Sequence, residues 1–282
     1  MSPPDWIDTL HDHVSRRSRI TVLTGAGISA ESGIPTFRGP EGYWTVGSRA
    51  YHPQEMATYA MFRQRPDDVW QWYLHRATVC HAAAPNPGHR AIAAMETLVG
   101  DRFTLITQNV DGLHLRAGNR IQKTYQIHGN VFQVRCAAAC SPELHPLPMD
   151  LIGRAKEAPL SDAERALLTC RRCGERLRPH VLWFDEVYDE RYFLFESSLQ
   201  AAAETGLLLI VGTSGVTNLP NQVAWTVLRK GGTIIDINPA ENPFSELARR
   251  SPGGAVSPLP SGRFLPELLR VMQQEIAGHP HP

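Results

Sequence analysis

Four cysteines stand in two close pairs, Cys136-x3-Cys140 and Cys170-x2-Cys173, with 29 residues between the pairs. Two pairs of thiolates at such spacing complete a tetrahedral zinc site, closed to water and therefore structural. Buried free thiols or one oxidised pair are the competing reading, and His145 and His180 lie near enough in sequence to replace a cysteine. Loss of such a metal is expected to loosen a small module rather than to remove chemistry. Cys80 stands alone on a helical stretch and reads as a small buried hydrophobe. A second kind of chemistry is announced by Gly25-Ala26-Gly27-Ile28-Ser29-Ala30, which fits the G-x-G-x-x-G/A dinucleotide fingerprint. Gly25 allows a tight turn, Gly27 lets a pyrophosphate approach the backbone, and Ala30 lets a helix pack close to a sheet. That helix would offer unpaired N–H groups and a positive dipole end to phosphates. Taken alone, the string also suits a glycine-rich turn before any helix, so its context decides.

The context is a chain of alternating strands and helices. Arg19 to Thr24 reads as a buried strand running into the glycines, and Phe103 to Thr107, Thr124 to His128, Leu207 to Val211 and Gly232 to Ile237 read likewise. Helices are predicted over Pro4 to Ser18, Pro66 to Ala82, His89 to Leu98, Glu190 to Glu204 and Pro266 to Ile276. Pro35 to Met61 is irregular and suits a loop closing over a cofactor. Cys136 to Cys173 is a Pro- and charge-rich insertion, after which Pro179 to Trp183 returns to the main domain. Such alternation predicts an α/β fold: a Rossmann-like parallel sheet with helices on both faces, plus a smaller zinc-binding module and a helical insertion. Ligand residues then belong at the carboxyl ends of the strands, where Gly25, Gln108, Gly212 and Asn238 stand. The expected division is 1–35 with 86–132 and 180–282 as the Rossmann-like dinucleotide-binding domain, 36–85 as cofactor loop and helical insertion, and 133–179 as the zinc module.

Composition excludes other classes. The 282 residues carry 28 basic and 28 acidic side chains, so no global attraction to nucleic acid or membrane is expected. A local basic patch remains open at Arg171, Arg172, Arg176 and Arg178. No apolar run approaches the roughly 20 residues of a membrane helix, and the N-terminus lacks the order of a secretory signal. A cytoplasmic, monomeric protein is the expectation. An ordinary dehydrogenase finds no support, because no acidic residue follows at a strand end about 20 residues after the glycines.

GAGIS, SGIP and FR follow one another between Gly25 and Arg38, and Gln108-Asn109-Val110-Asp111 and His128-Gly129-Asn130 come downstream. With these motifs the chain resembles the sirtuins, the NAD-dependent protein deacylases, from roughly Arg19 to Leu269. The resemblance implies that an acyl-lysine oxygen attacks the nicotinamide ribose carbon, that a base then deprotonates a ribose hydroxyl, and that free lysine and O-acyl-ADP-ribose result. It implies His128 as that base, a role suited to imidazole, which titrates near the operating pH. A core histidine bonded to backbone is the alternative. It implies that Asn109 and Asp111 orient the nicotinamide amide and that Gln108 bonds the ribose. It implies that Phe37 would shield the reactive carbon and that Arg38 would order the loop against phosphate. It implies further that Thr213 and Ser214 would contact phosphate and ribose and Asn238 the adenosine ribose, with Gly25, Ala26, Gly27 and Gly212 completing the cofactor set. Substrates would be acyl-lysine proteins or peptides, with Val181, Trp183 and Phe184 against them. Asp185 stands where glycine is usual, and Gly215 to Pro220 departs from the usual run, so both put peptide binding in doubt.

Tyr73 and Arg76 are three apart and share a helix face. A phenol beside a guanidinium makes a site for a carboxylate. Sirtuins that remove succinyl, malonyl or glutaryl groups carry a Tyr-x-x-Arg pair in the corresponding helix, so the resemblance implies an acidic acyl group. An ordinary amphipathic helix, with Tyr73 in the core and Arg76 solvated, is the plain alternative. An acetyl-lysine deacetylase, an ADP-ribosyltransferase or NAD glycohydrolase, and a non-catalytic module also remain open.

Overall fold

The computed structural model describes residues 5–35, 44–46, 49–156 and 158–278. Its centre is a six-stranded sheet in the spatial order Ala255–Ser257, Thr233–Ile237, Leu207–Val211, Ile20–Thr24, Phe103–Thr107, Thr124–Gln126, and every pairing in it is parallel. Ile20–Thr24, Phe103–Thr107 and Leu207–Val211 carry only apolar residues and threonines and are buried except at half-buried Thr104, as expected of strands covered on both faces. One face packs Ile20, Val22, Leu105 and Leu209 against Leu10, Ile92, Phe264 and Leu268. The other packs Leu23, Ile106 and Ile210 against Leu219, Val223 and Phe244.

Ile20–Thr24 lies between Phe103–Thr107 and Leu207–Val211, so the chain leaves the first strand in both directions. Such a switch point opens a crevice at the carboxyl ends of its strands. Thr24 pairs with Thr107 on one side and Val211 on the other, which sets Gly25, Gln108 and Gly212 side by side.

Several elements differ from the sequence pattern. The last helix runs Ser261–Gly278 and carries Pro266 inside it. The Glu31 carboxylate accepts from the Ser261 hydroxyl at 2.6 Å and the Gly262 N–H at 3.0 Å, so a residue distant in sequence starts this helix early. The helix expected from His89 begins two residues earlier, at Pro87, because Asn86 caps the Gly88 and His89 N–H groups. The expected Glu190–Glu204 helix breaks at Leu194, whose φ is 52°. Asn218–Arg229 and Pro243–Arg250 are helices to which the sequence pattern assigns no element.

Leu177–Val181 does not return to the main sheet. It pairs antiparallel with Gly129–Cys136 in a separate three-stranded sheet with His145–Pro146. Both long strands run across the expected boundaries at 132 and 179. Moreover, the helical insertion and the cysteine segment share one hydrophobic core. Trp70, Trp72, Tyr73 and Leu74 of the Pro66–Ala82 helix cluster with Cys136, Leu151, Cys170 and Trp183. Trp70 Nε1–H donates to the Leu177 carbonyl at 3.0 Å, and Asp67 pairs with Arg165 and Arg176.

Candidate active site

The glycines meet one another. Gly25 N–H donates to the Val211 carbonyl at 2.9 Å and Gly27 N–H to the Gly212 carbonyl at 2.8 Å. A Cβ on Gly27 would lie 2.7 Å from Gly212 Cα, and one on Gly25 would lie 2.7 Å from Thr213 Cβ. The fingerprint glycines thus also let two strand ends pack together, a contact that the phosphate reading of Gly27 does not include. The helix after it is short, Ala26–Ala30, and buries Ile28 and Ser29.

A polar network spreads from this junction. Asn109 Nδ2–H donates to the Gly25 carbonyl at 3.0 Å and to the Ser29 hydroxyl at 3.1 Å. Ser29 donates to Asp111 Oδ2 at 2.7 Å, and Leu113 N–H donates to Oδ1 at 2.9 Å. Burial nevertheless pushes the Asp111 carboxyl up, since those donors offset only part of the desolvation. Gln108 Nε2–H donates to the Thr213 hydroxyl at 2.8 Å, and the Thr217 hydroxyl donates to Gln108 Oε1 at 2.7 Å. Asn238 Nδ2–H donates to the Thr213 carbonyl at 2.7 Å, tying the next strand end to the same point. Ser214 follows, half-buried.

His128 occupies the turn between Thr124–Gln126 and Gly129–Cys136. Gly129 has φ +85°, and a Cβ there would lie 2.0 Å from the His180 carbonyl oxygen, so only glycine lets the chain turn here. His128 Nδ1 lies 3.0 Å from the Gln108 carbonyl. That oxygen can only accept, so Nδ1 carries the proton and Nε2 is the acceptor. The Tyr188 hydroxyl donates to Nε2 at 2.7 Å. Burial lowers the His128 pKa to about 4, which keeps the ring neutral with Nε2 unprotonated, at the cost of some basicity.

Beside this centre lies an aromatic wall. Trp183 is buried, and its Nε1–H donates to the Tyr73 hydroxyl at 2.9 Å. Phe62 and Tyr59 rings stand 5.3 and 6.1 Å from the Trp183 ring, and the Arg178 guanidinium stacks on it at 3.5 Å. Tyr73 is buried, and Arg76 is half-buried with its guanidinium 5.1 Å from the Trp72 ring. The Arg76 charge acts on both the Tyr73 phenol and the Asp111 carboxyl, so the helix face and the polar network belong to one region. Val181 ends its strand buried, Leu182 N–H donates to the His128 carbonyl at 3.0 Å, and Phe184 is 58 % exposed. Asp185 accepts from Tyr59 N–H at 2.7 Å and Ala60 N–H at 3.0 Å. Glu186 holds Arg178 with both carboxylate oxygens.

The four cysteine sulfurs lie within 4.8 Å of one another, with Cys136–Cys173 at 3.5 Å and Cys140–Cys170 at 3.6 Å. A zinc–thiolate tetrahedron with bonds of about 2.3 Å has edges of roughly 3.8 Å, so the cluster suits one zinc ion after shifts of at most about an ångström. No histidine joins it among the described residues: His145 is exposed, and His180 is stacked on Phe193 at 5.6 Å. Cys80 is buried away from them, and burial pushes its thiol up to about 12.

Phe37 and Arg38 lie outside the described residues. Arg176 and Arg178, named as part of a basic patch, are paired with Asp67 and Glu186. Sequence reasoning missed Ser29, Thr217 and Tyr188. Ser29 sits inside the glycine motif and carried a signal there; Thr217 and Tyr188 are single residues on irregular segments with no pattern around them.

Comparison with known proteins agrees with this geometry. A family model described as Sir2 family matches residues 25–218. A protein of Leptospira interrogans serovar Lai named NAD-dependent protein deacylase is 39% identical over 258 residues, covering 92% of this chain and 94% of that one. A protein of the same name from Thermococcus kodakarensis is 37% identical over 266 residues, covering 94% and 95%. Among solved structures, a Sir2 homolog–NAD complex superposes with TM-score 0.79 at 33% identity, covering 97% of this chain and 95% of that one. A Sir2–p53 peptide–NAD+ structure superposes with TM-score 0.73 at 25% identity, covering 97% and 98%.

Proposed function

The chain belongs to the Sir2 family, and from that membership we propose that it is an NAD-dependent protein lysine deacylase acting on acidic acyl groups such as succinyl and malonyl. The observation that carries the reading is His128: its Nδ1–H is anchored on the Gln108 carbonyl, so a neutral Nε2 serves as acceptor beside the polar network at the strand ends. The donor set suits a dinucleotide, being amides and hydroxyls with one carboxylate: Gln108, Asn109, Asp111, Thr213, Ser214 and Asn238. Bound NAD would supply a ribose carbon activated by its nicotinamide leaving group and would carry the acyl group away as O-acyl-ADP-ribose.

The protein's part is placement and proton transfer. Asn109 and Asp111, fixed by Ser29 and the Leu113 N–H, hold the nicotinamide amide. Gln108, Thr213 and Asn238 bind ribose and phosphate, with Gly25, Ala26, Gly27 and Gly212 shaping the loop beneath. His128 takes a proton at Nε2 from a ribose hydroxyl. Val181, Trp183 and Phe184 line the acyl-lysine channel, and the substrate is a peptide or protein segment. Zinc on Cys136, Cys140, Cys170 and Cys173 serves structure. A monomer in the cytoplasm completes the reading.

The acidic preference rests on Tyr73 and Arg76. Tyr73 uses its oxygen to accept from Trp183 and keeps its own proton to donate. Arg76 adds a positive charge felt as far as Asp111. A carboxylate on the acyl group would meet both. The test is mass spectrometry of matched acetyl-lysine and succinyl-lysine peptides with and without NAD. NAD-dependent loss of succinyl faster than acetyl is expected. Faster loss of acetyl discards the Tyr73–Arg76 role, and NAD consumption without acyl loss discards deacylation.

A further inference from the structure

Tyr188 belongs to no motif, yet it makes the shortest side-chain contact of His128. It lies on an irregular segment leading into the Glu190–Phe193 helix, where Asp189 caps the Tyr192 N–H at 2.6 Å. Its ring lies 5.8 Å from the His128 ring and 6.3 Å from Phe195. Its neighbour Val187 is 83 % exposed, so packing at that residue does not pin the segment.

The geometry sets up a competition. An imidazole acceptor nitrogen has one in-plane lone pair and takes one well-directed hydrogen bond. In His128 the Nδ1 side is committed to the Gln108 carbonyl, so that single lone pair is on Nε2, and the Tyr188 hydroxyl holds it at 2.7 Å. A base must present the same lone pair to the hydroxyl it deprotonates. Both cannot be bound at full strength at once. The phenol stays protonated, because burial pushes its pKa well up. The groups facing the ring are the Gln108 backbone carbonyl and the Tyr188 phenol, both neutral, and desolvation rather than any charged side chain lowers its pKa.

We propose that Tyr188 is a further positioning residue of the reaction centre: its hydroxyl holds the Nε2 lone pair of His128 in the resting protein and yields it to the cofactor's ribose hydroxyl when NAD binds. The exchange swaps one hydrogen bond for another and breaks no covalent bond. The inference rests on the reading of His128 as the base.

The variant is Tyr188→Phe, which keeps the ring on Phe195 and removes only the hydroxyl. NMR titration of His128 in the NAD-free protein reads the hydrogen bond directly. A donor to Nε2 favours neutral imidazole, so losing it should raise the titration midpoint by about 0.5 to 1 pH unit. Calorimetric NAD binding should tighten by about three- to tenfold, since the competing bond is gone. In a His128→Ala background the same substitution should leave NAD affinity unchanged. An unmoved midpoint, unchanged or weaker NAD binding, or equal tightening in both backgrounds overturns the proposal. A tenfold loss of kcat at unchanged affinity also overturns it and makes the phenol a proton relay. Failure of the base reading shows separately, as turnover retained by His128→Ala alone.

Discussion

Trp183 donates its indole N–H to the hydroxyl of Tyr73 at 2.9 Å, across 110 positions of sequence. The bond joins the segment expected to bear the peptide to the helix expected to read the acyl group. It also fixes which way the phenol points, because the oxygen that accepts from Trp183 must aim its own proton elsewhere.

Arg76→Met is the sharpest test of acyl preference. Methionine keeps the apolar stem and removes the charge. A charge-assisted bond contributes about 1.5–3 kcal/mol, so kcat/KM on succinyl-lysine should fall roughly 10- to 100-fold. On acetyl-lysine, which has no carboxylate, the change should stay within about threefold. Equal losses on the two peptides would remove Arg76 from acyl recognition.

His128→Ala should abolish deacylation without unfolding the protein, since the half-buried ring gives up one bond to backbone and one to Tyr188. A base works deprotonated, and burial lowers this one to about 4. The wild-type acid limb of kcat/KM should therefore lie well below the 6.5 of free histidine, so activity persists through mildly acidic buffer. An acid limb centred near 6.5 would place the titrating base elsewhere.

Strand runs and motif residues were legible because local chemistry dictates them. Leu207–Val211 is apolar end to end, Ile20–Thr24 is rich in β-branched and apolar residues, and the cysteine spacing alone predicted a four-sulfur cluster. What stayed hidden depends on distant partners. Glu31 starts the last helix five residues before Pro266, where the sequence pattern begins it. Leu177–Val181 looks like any short strand, and only its pairing with Gly129–Cys136 shows that it leaves the main sheet. Gly27 signals a phosphate loop in sequence, but its tightest neighbour is Gly212, which no local window contains. Tyr188 reaches His128 across 60 positions.

Acid should destabilise the fold through its buried and half-buried imidazoles, which include His89, His114, His128 and His180. His89 is fully buried, His180 is 3 % exposed, and burial lowers both to about 4. Between about pH 6.5 and pH 4 the unfolded chain binds protons that the native chain refuses. Stability is thus full above the unfolded pKa, drops as pH falls through that window, and levels off below it. Each residue contributes at most roughly 3 kcal/mol to the drop. Urea melts at pH 7 and pH 5 should show the loss, and His180→Gln should flatten the slope while lowering the plateau. A His180→Gln slope equal to wild type would exclude His180 as a source.

Metal analysis should find one zinc per chain. Because Cys136 and Cys170 share a core with Trp70 and Trp183, removing the metal should disturb more than the cysteine loops. A chelator, or Cys170→Ser, should shift tryptophan emission to the red and raise peptide KM. The strands at the switch point pack in separate clusters, so NAD binding should weaken much less. Unchanged emission on complete zinc removal would contradict a metal-dependent common core.

Asp185 replaces an expected glycine with a clamp. Its two carboxylate oxygens accept from the first N–H groups of the Tyr59–Gln64 helix, while Thr58 caps Met61 from within. A cap of this kind stabilises by about 1 kcal/mol. Here it also ties the Trp183–Glu186 turn to the helical insertion, so the edge expected to meet peptide is held before peptide arrives. Asp185→Gly should lower stability by about 1 kcal/mol and raise peptide KM severalfold, with kcat and NAD affinity little changed. Asp185→Asn keeps an acceptor oxygen and should fall between the two. Steady-state kinetics on one peptide decides it: a KM unchanged by Asp185→Gly would mean that the clamp serves the helix alone.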